Sequence, residues 1–282
     1  MKRGADVNKS KVFQTISWFF IIVFLAITVF PFFWILISSF KPESEILGAG
    51  SYRIIAAAPT LENYITVIFK KGMVRAIGNS FVISALTTFY VIVVASMSAY
   101  IISRFRFYGK SLLMGLILAV SMFPQMIVIG PTFNMFYKAH LLNSYWVCLA
   151  YSTITLPSAV WIMVAHFKQV PLALEEAARI DGCSAWQVLW KIIFPIAAPG
   201  VFTTAIMAFI ASWNEYMLSC TLNIDEKIQS VPVRLSYLKD EFTIFWGQIS
   251  AAAIVVVIPT LIIVLLFQKQ IVSGIVNGAV KE

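Results

Sequence analysis

The sequence predicts an all-α integral membrane protein with six transmembrane helices, and three features of its 282 residues carry that prediction. Apolar side chains make up 60% and charged ones 12%, with a mean hydropathy of +0.86. Soluble domains average roughly 45–50% and about 25%. The uncharged residues are also gathered into blocks. There are 29 between Lys11 and Lys41, 28 between Arg75 and Arg104, and 27 between Lys110 and Lys138. Another 29 separate Lys138 from Lys168, 23 separate Lys191 from Glu215, and 27 separate Glu241 from Lys269. Each block exceeds the roughly 20 apolar residues that carry a helix across a bilayer. Finally, Lys and Arg flank these blocks unevenly. The connection between the second and third holds Arg104, Arg106 and Lys110, whereas the next holds Lys138 alone. The positive-inside rule then places the N-terminus in the cytoplasm, and six crossings return the C-terminus there. With that orientation twelve basic residues fall inside and nine outside. Because they are dispersed around apolar spans, the net charge of +8 points to a lipid bilayer and not to nucleic acid.

The expected organisation is a cytoplasmic N-terminus, 1–16, a single six-helix domain, 17–267, and a cytoplasmic tail, 268–282. Helix one covers Ser17 to Phe40. Its apolar run is too long for the roughly 7–15-residue core of a cleaved signal, so it is read as a retained span. The segment from Lys41 to Arg75 is the longest stretch outside the membrane. Within it Leu61, Tyr64, Ile65, Ile68 and Phe69 follow a helical spacing, with Thr60 as N-cap, which predicts a short interfacial helix. Helix two covers Ala76–Ile102, helix three Ser111–Phe136, helix four Ser144–Phe167, helix five Val201–Ser219 and helix six Ile244–Phe267. An outer loop between the last two holds Asp225, Glu226, Asp240 and Glu241.

The loop 168–200 is the richest feature. Pro171 opens a run through Ile180 with Glu175 and Glu176 near its start, where proline and acidic side chains suit a helix N-terminus. Asp181-Gly182 breaks that helix, since glycine tolerates the left-handed conformation of a tight turn. Ser184 then caps a second helix, Ala185 to Ile193, ended by Pro195 and Pro199. The result is a helix, a turn and a helix, with Ala177 and Ala178 as a small-residue face for close approach.

Other chemistry is thinly represented. The Gly-Lys pair Gly109-Lys110 has Arg104 where a phosphate loop needs its first glycine, so ATP hydrolysis is not expected of this chain. His140 and His166 stand at helix ends without a partner pattern for hydrolysis or zinc. Cys148, Cys183 and Cys220 have no metal or disulfide spacing. Glu215 is the carboxylate placed inside a span, which by default marks function, although it also lies close enough to the outer end to snorkel. With Trp213, Asn214 and Tyr216 it offers hydrogen bonds and a flat aromatic surface, chemistry that suits a hydroxyl-rich sugar. Pro124-Gln125 in helix three is a second candidate, because proline frees a backbone carbonyl that must bend toward a partner or a cavity. The alternative there is a packing kink.

Glu176-Ala177-Ala178, three residues, Gly182, nine residues, then Ile192, Phe194 and Pro195 resembles the EAA loop of permease subunits of binding-protein-dependent ABC importers. Phe194 replaces the usual leucine. Pro59-Thr60-Leu61-Glu62-Asn63-Tyr64, Asn79-Ser80, Trp213-Asn214-Glu215 and the ending Gly278-Ala279-Val280-Lys281 are similar to the maltose-type sugar branch. The resemblance spans nearly the whole chain. It implies a type I ABC importer permease fold in the plasma (inner) membrane, pairing with a second, homologous permease subunit. It further implies two ATPase subunits, which hold the ATP and Mg while this chain binds no cofactor, and an extracytoplasmic solute-binding protein. Glu176, Ala177, Ala178, Asp181 and Gly182 would then be the coupling element, with Glu176 meeting a basic group on the ATPase. The candidate substrate pathway is Trp213, Asn214, Glu215, Tyr216, Pro124 and Gln125. The alternatives are a self-contained secondary carrier or channel, or an importer of a polyol or glycerol phosphate compound.

Overall fold

The computed structural model describes residues 2–239 and 243–279, with side chains described within 14–239 and 243–268. Asp240, Glu241, Val280 and Lys281 lie outside the described residues, as do the side chains of Lys2, Arg3, Lys9, Lys11 and Lys269. Among the described residues the backbone is helical and turn-linked, with one isolated bridge between Lys239 and Ile244. In order the helices are α1 Lys2–Ser39, α2 Glu43–Ile46, α3 Glu62–Ile65, α4 Met73–Arg104, α5 Lys110–Ser121, α6 Gln125–Lys138 and α7 Val147–Gln169. They continue as α8 Leu172–Ile180, α9 Ala185–Gln187, α10 Phe194–Ile196, α11 Ala198–Trp213, α12 Met217–Leu222, α13 Val231–Ser236 and α14 Trp246–Ala279. Stretches of π-helix, Thr66–Lys70 and Val188–Ile193, extend α3 and α9.

Four stretches among the described residues are long and apolar enough to cross a bilayer: Gln14–Ser39, Met73–Arg104, Val147–Gln169 and Trp246–Gln268. Two further segments qualify only as bent pairs, Lys110–Ser121 with Gln125–Lys138 at 95° and Ala185–Ile196 with Ala198–Trp213 at 85°. The count reaches six when each pair is one crossing. The chain is therefore membrane-embedded, but helix three is not the continuous rod expected over Ser111–Phe136. Pro124 has no N–H to donate and disfavours helical geometry at Phe123, so the first half stops at Ser121 and Pro124 becomes the N-cap of α6. Helix five also differs from the expected Val201–Ser219. It ends at Trp213, where the Asn214 amide donates to the Ile210 carbonyl at 2.9 Å, and α12 starts afresh after Tyr216. Asparagine competes in this way for the carbonyls of a last turn. At the chain ends, α1 starts well before Ser17 and α14 runs on through Gly274 and Gly278.

The residues divide into two compact units, Met1–Lys71 with Leu238–Val257, and Gly72–Tyr237 with Ile258–Glu282. In the first, the buried Lys41 organises the turn after α1. Its ammonium donates to the carbonyls of Ser51 (3.0 Å) and Arg53 (2.5 Å) and lies 5.2 Å from the Trp34 ring centre. The Glu43 carboxylate accepts from the N–H groups of Trp246 (2.8 Å) and Gly247 (3.0 Å), which satisfies donors at the start of α14. The expected interfacial helix is α3 with its π extension. Leu61 occupies the N-cap position, and the Thr60 hydroxyl accepts from Glu62 N–H at 3.1 Å.

In the second unit α4, α7 and α11 pack together through small residues, including Ala95, Ala99, Ala159 and Ala208. Small side chains let membrane helices approach closely where no hydrophobic effect drives them together. Gly200 shows how closely. A Cβ there would lie 2.2 Å from His166 Cγ. A second apolar cluster joins Phe136 of α6, Val147 and Tyr151 of α7, and Leu218 and Leu222 of α12.

Candidate functional site

The loop between α7 and α11 is built by local chemistry. Helix α8 closes with hydrogen bonds from Cys183 N–H to the Ala178 carbonyl (2.9 Å) and from Gly182 N–H to the Arg179 carbonyl (3.0 Å). That pair of bonds is a Schellman motif, and it places Gly182 at the position that must be left-handed. Its φ is +84°. Two residues later Ser184 opens α9 with a capping box. Its hydroxyl accepts from Gln187 N–H (3.3 Å) while the Gln187 side chain accepts from Ser184 N–H (2.8 Å). Between the two helices only Asp181, Gly182, Cys183 and Ser184 intervene, so the direction of one helix fixes that of the next.

The structure divides the residues of α8 by face. Glu176, Ala177, Asp181 and Gly182 are exposed. Ala178 is buried in the apolar cluster that also holds Phe167, Val170, Val188 and Leu189, so it is not part of an exposed small-residue face with Ala177. The reason is helical spacing. Glu175 and Ala178 stand three apart and both turn inward, leaving Glu176 and Ala177 outward. Around these lie exposed apolar side chains, Leu172, Leu174, Trp186 and Ile180, the last 87% exposed. A polypeptide surface with one acidic residue, one alanine and an apolar rim of this kind suits contact with another protein.

Glu175 was not singled out from sequence. Its carboxylate is paired with Arg104 at the last turn of α4, and both side chains are almost fully buried. Arg104 Nη2 also donates to the Val170 carbonyl at 2.9 Å. The available signal was the doubled acid Glu175-Glu176, one for each face of a short helix.

At the other candidate group, Trp213 is 3% exposed and its ring stacks on Phe209 at 5.9 Å. Glu215 is 8% exposed, but it lies in the break between α11 and α12 and not within a helix, and its carboxylate accepts from Leu218 N–H at 2.8 Å. Asn214 and Tyr216 are exposed. Pro124 and Gln125 are also exposed, at the corner between α5 and α6. A cavity of about 230 Å³ lies elsewhere, between α7 and α11, lined by Thr155, Ser158, Ala159, Thr204 and Ala208 among others. These hydroxyls are spread singly through apolar runs, so no spacing pattern marked them.

Residues 91–277 match the family described as binding-protein-dependent transport system inner membrane component. The chain is 36% identical to the trehalose/maltose transport system permease protein MalG of Thermococcus litoralis, over 92% of this chain and 94% of that protein. It is 35% identical to the sulfoquinovosyl glycerol transport system permease protein SmoH of Agrobacterium fabrum, over 90% and 89%. Its fold is that of a chain in the crystal structure of a bacterial ABC transporter importing the acidic polysaccharide alginate, with a TM-score of 0.80 at 19% identity, covering 92% of this chain and 96% of that one. A capped helical loop on a bundle of packed apolar helices, and these likenesses across almost the whole length, place the chain in the family of inner membrane components of binding-protein-dependent transport systems.

Proposed function

We propose that this chain forms half of the translocation pathway of an ATP-driven importer of a carbohydrate, in the plasma membrane with both termini cytoplasmic. It acts with a second, homologous permease subunit, two ATPase subunits that hold ATP and Mg, and an extracytoplasmic solute-binding protein. The chain itself holds no cofactor and carries out no covalent step. The observation that carries this reading is the exposed face of α8, Glu176 and Ala177 rimmed by Leu172, Ile180 and Trp186, held by the left-handed turn at Gly182. That face docks on the ATPase, with Glu176 meeting a basic side chain. A rigid-body shift of the docked helix passes nucleotide-driven closure to the membrane helices. The substrate class is supported by the relatives, two of which are named for trehalose, maltose and sulfoquinovosyl glycerol. Trp213, Asn214, Glu215, Tyr216, Pro124 and Gln125 are the pathway residues of this reading.

The test is reconstitution of the chain with its co-expressed partners in vesicles. The expected result is uptake of a sugar that requires internal ATP and the external binding protein. Uptake by this chain alone on an ion gradient, or failure of any ATPase to co-purify, would overturn it.

A further inference from the structure

The second compact unit holds two polar clasps, one at each end of α4. At the Arg104 end, the buried Arg104–Glu175 pair and the bond to the Val170 carbonyl fasten α8 to α4, and Arg179 Nη2 reaches the Tyr100 hydroxyl at 3.5 Å. Both charges suit their helices, since Arg104 stands in the last turn of α4 and Glu175 in the first turn of α8. At the Met73 end, Asn79 donates through Nδ2 to the carbonyls of Lys227 (2.9 Å) and Gln229 (3.1 Å), while its Oδ1 accepts from the Tyr145 hydroxyl at 2.9 Å. Ser80 next to it accepts from Val231 N–H at 2.8 Å. The loop 223–231 is gripped again by Asn143, whose Oδ1 accepts from Asp225 N–H at 2.8 Å. Helix α4, 32 residues long, runs unbroken from one clasp to the other without an internal proline, so it transmits displacement rather than absorbing it.

From this geometry we propose that α4 is a rigid lever between α8 and the loop 223–231, with Glu175 and Arg104 as positioning residues at one end and Asn79 and Ser80 at the other. A shift of α8 on its ATPase pulls Arg104 through an almost fully buried charge pair, and the same helix moves the loop at the opposite face. Glu176 and Glu175 thus divide the work: one faces the motor, the other faces the lever. The role of Asn79-Ser80 is to hold a loop, not to touch solute. The proposal rests on the importer reading above.

The assembled importer in vesicles tests it, with solute imported per ATP hydrolysed as the readout. Glu175→Gln should lower that ratio at least about fivefold, the lower end of ordinary coupling between sites. Glu175→Asp, which keeps the carboxylate on the side chain that faces Arg104, should retain more of that ratio than the isosteric Glu175→Gln, the reverse of what a role of side-chain shape alone would give. Asn79→Ala, at the far end of α4, should lower the same ratio, and it keeps the test open where the position 175 variants fail to accumulate. An unchanged ratio in Glu175→Gln or in Asn79→Ala, or a ratio in Glu175→Asp no higher than in Glu175→Gln, overturns the lever while the importer reading stands. Absence of ATP-driven uptake by the wild-type assembly overturns both.

Discussion

Gly200→Ala reads the packing of α7 against α11 with opposite signs for opposite answers. Replacing glycine by alanine in a helix stabilises by up to about 1 kcal/mol when space is available. Here the new Cβ would lie 2.2 Å from His166 Cγ, 2.3 Å from Cδ2 and 2.7 Å from Nδ1, where ordinary contact starts at 3.4 Å. Something must move by about an ångström, and the obstacle is a ring stem close to its own backbone, not the tip of a flexible chain. Overpacking of that order costs about 1–3 kcal/mol. The single variant should therefore melt several degrees lower in detergent, at about 2–4 °C per kcal/mol for a domain of this size. With His166→Ala already present the clash is gone, and adding Gly200→Ala should raise the melting temperature. The double-mutant cycle isolates that contact because the two side chains meet directly. A Gly200→Ala chain as stable as the wild type, or a cycle with no coupling, would refute the close approach of the two helices at this point.

Further outcomes follow from the loop and from the start of α14. Glu176→Lys and Gly182→Asp should each abolish uptake by the assembled importer while membrane insertion, followed by fractionation, is retained; normal uptake by either removes α8 from coupling. Ser184→Ala takes away the capping box and should cost about 1 kcal/mol of local stability, visible as faster amide exchange at Gln187. Glu43→Ala leaves the N–H groups of Trp246 and Gly247 without their carboxylate and should speed their exchange, with Glu43→Gln in between.

How much of this was legible depends on how far apart the deciding groups lie in the chain. The turn at Gly182 and the cap at Ser184 follow from residues within five positions of each other, and the sequence names both. The inward face of α8 does not, because the residue that draws Glu175 inward is Arg104, 71 positions away. Spacing alone made Ala177 and Ala178 equivalent, and only the packing of Val188 and Leu189 against α8 distinguishes them. The break after Ser121 was half visible. Proline marked the place, but Pro31, Pro157 and Pro259 lie inside helices that continue. The break at Asn214 is not legible in the spacing: the apolar pattern on either side of Glu215 reads as one helix from Val201 to Ser219, and only the turn of the Asn214 amide back to the Ile210 carbonyl separates the halves.

Charges at the helix ends supply the rule that hydropathy hides. In an apolar setting an orphaned backbone N–H or carbonyl costs several kcal/mol, so every helix break needs a polar partner close by. Lys41, just after α1, takes two carbonyls of the loop that follows α2, and Glu43 takes two N–H groups at the start of α14. Arg104 takes the Val170 carbonyl between α7 and α8, and Glu215 takes a donor at the start of α12. Each of these charges thus lies at a place where the helical ladder stops. An isolated charge between apolar blocks is therefore a marker of chain breaks as well as of topology. Glu215 is accounted for as a cap before any contact with solute is invoked, and a pathway role for it stands only if Glu215→Gln, which still accepts from Leu218 N–H, alters uptake without altering stability.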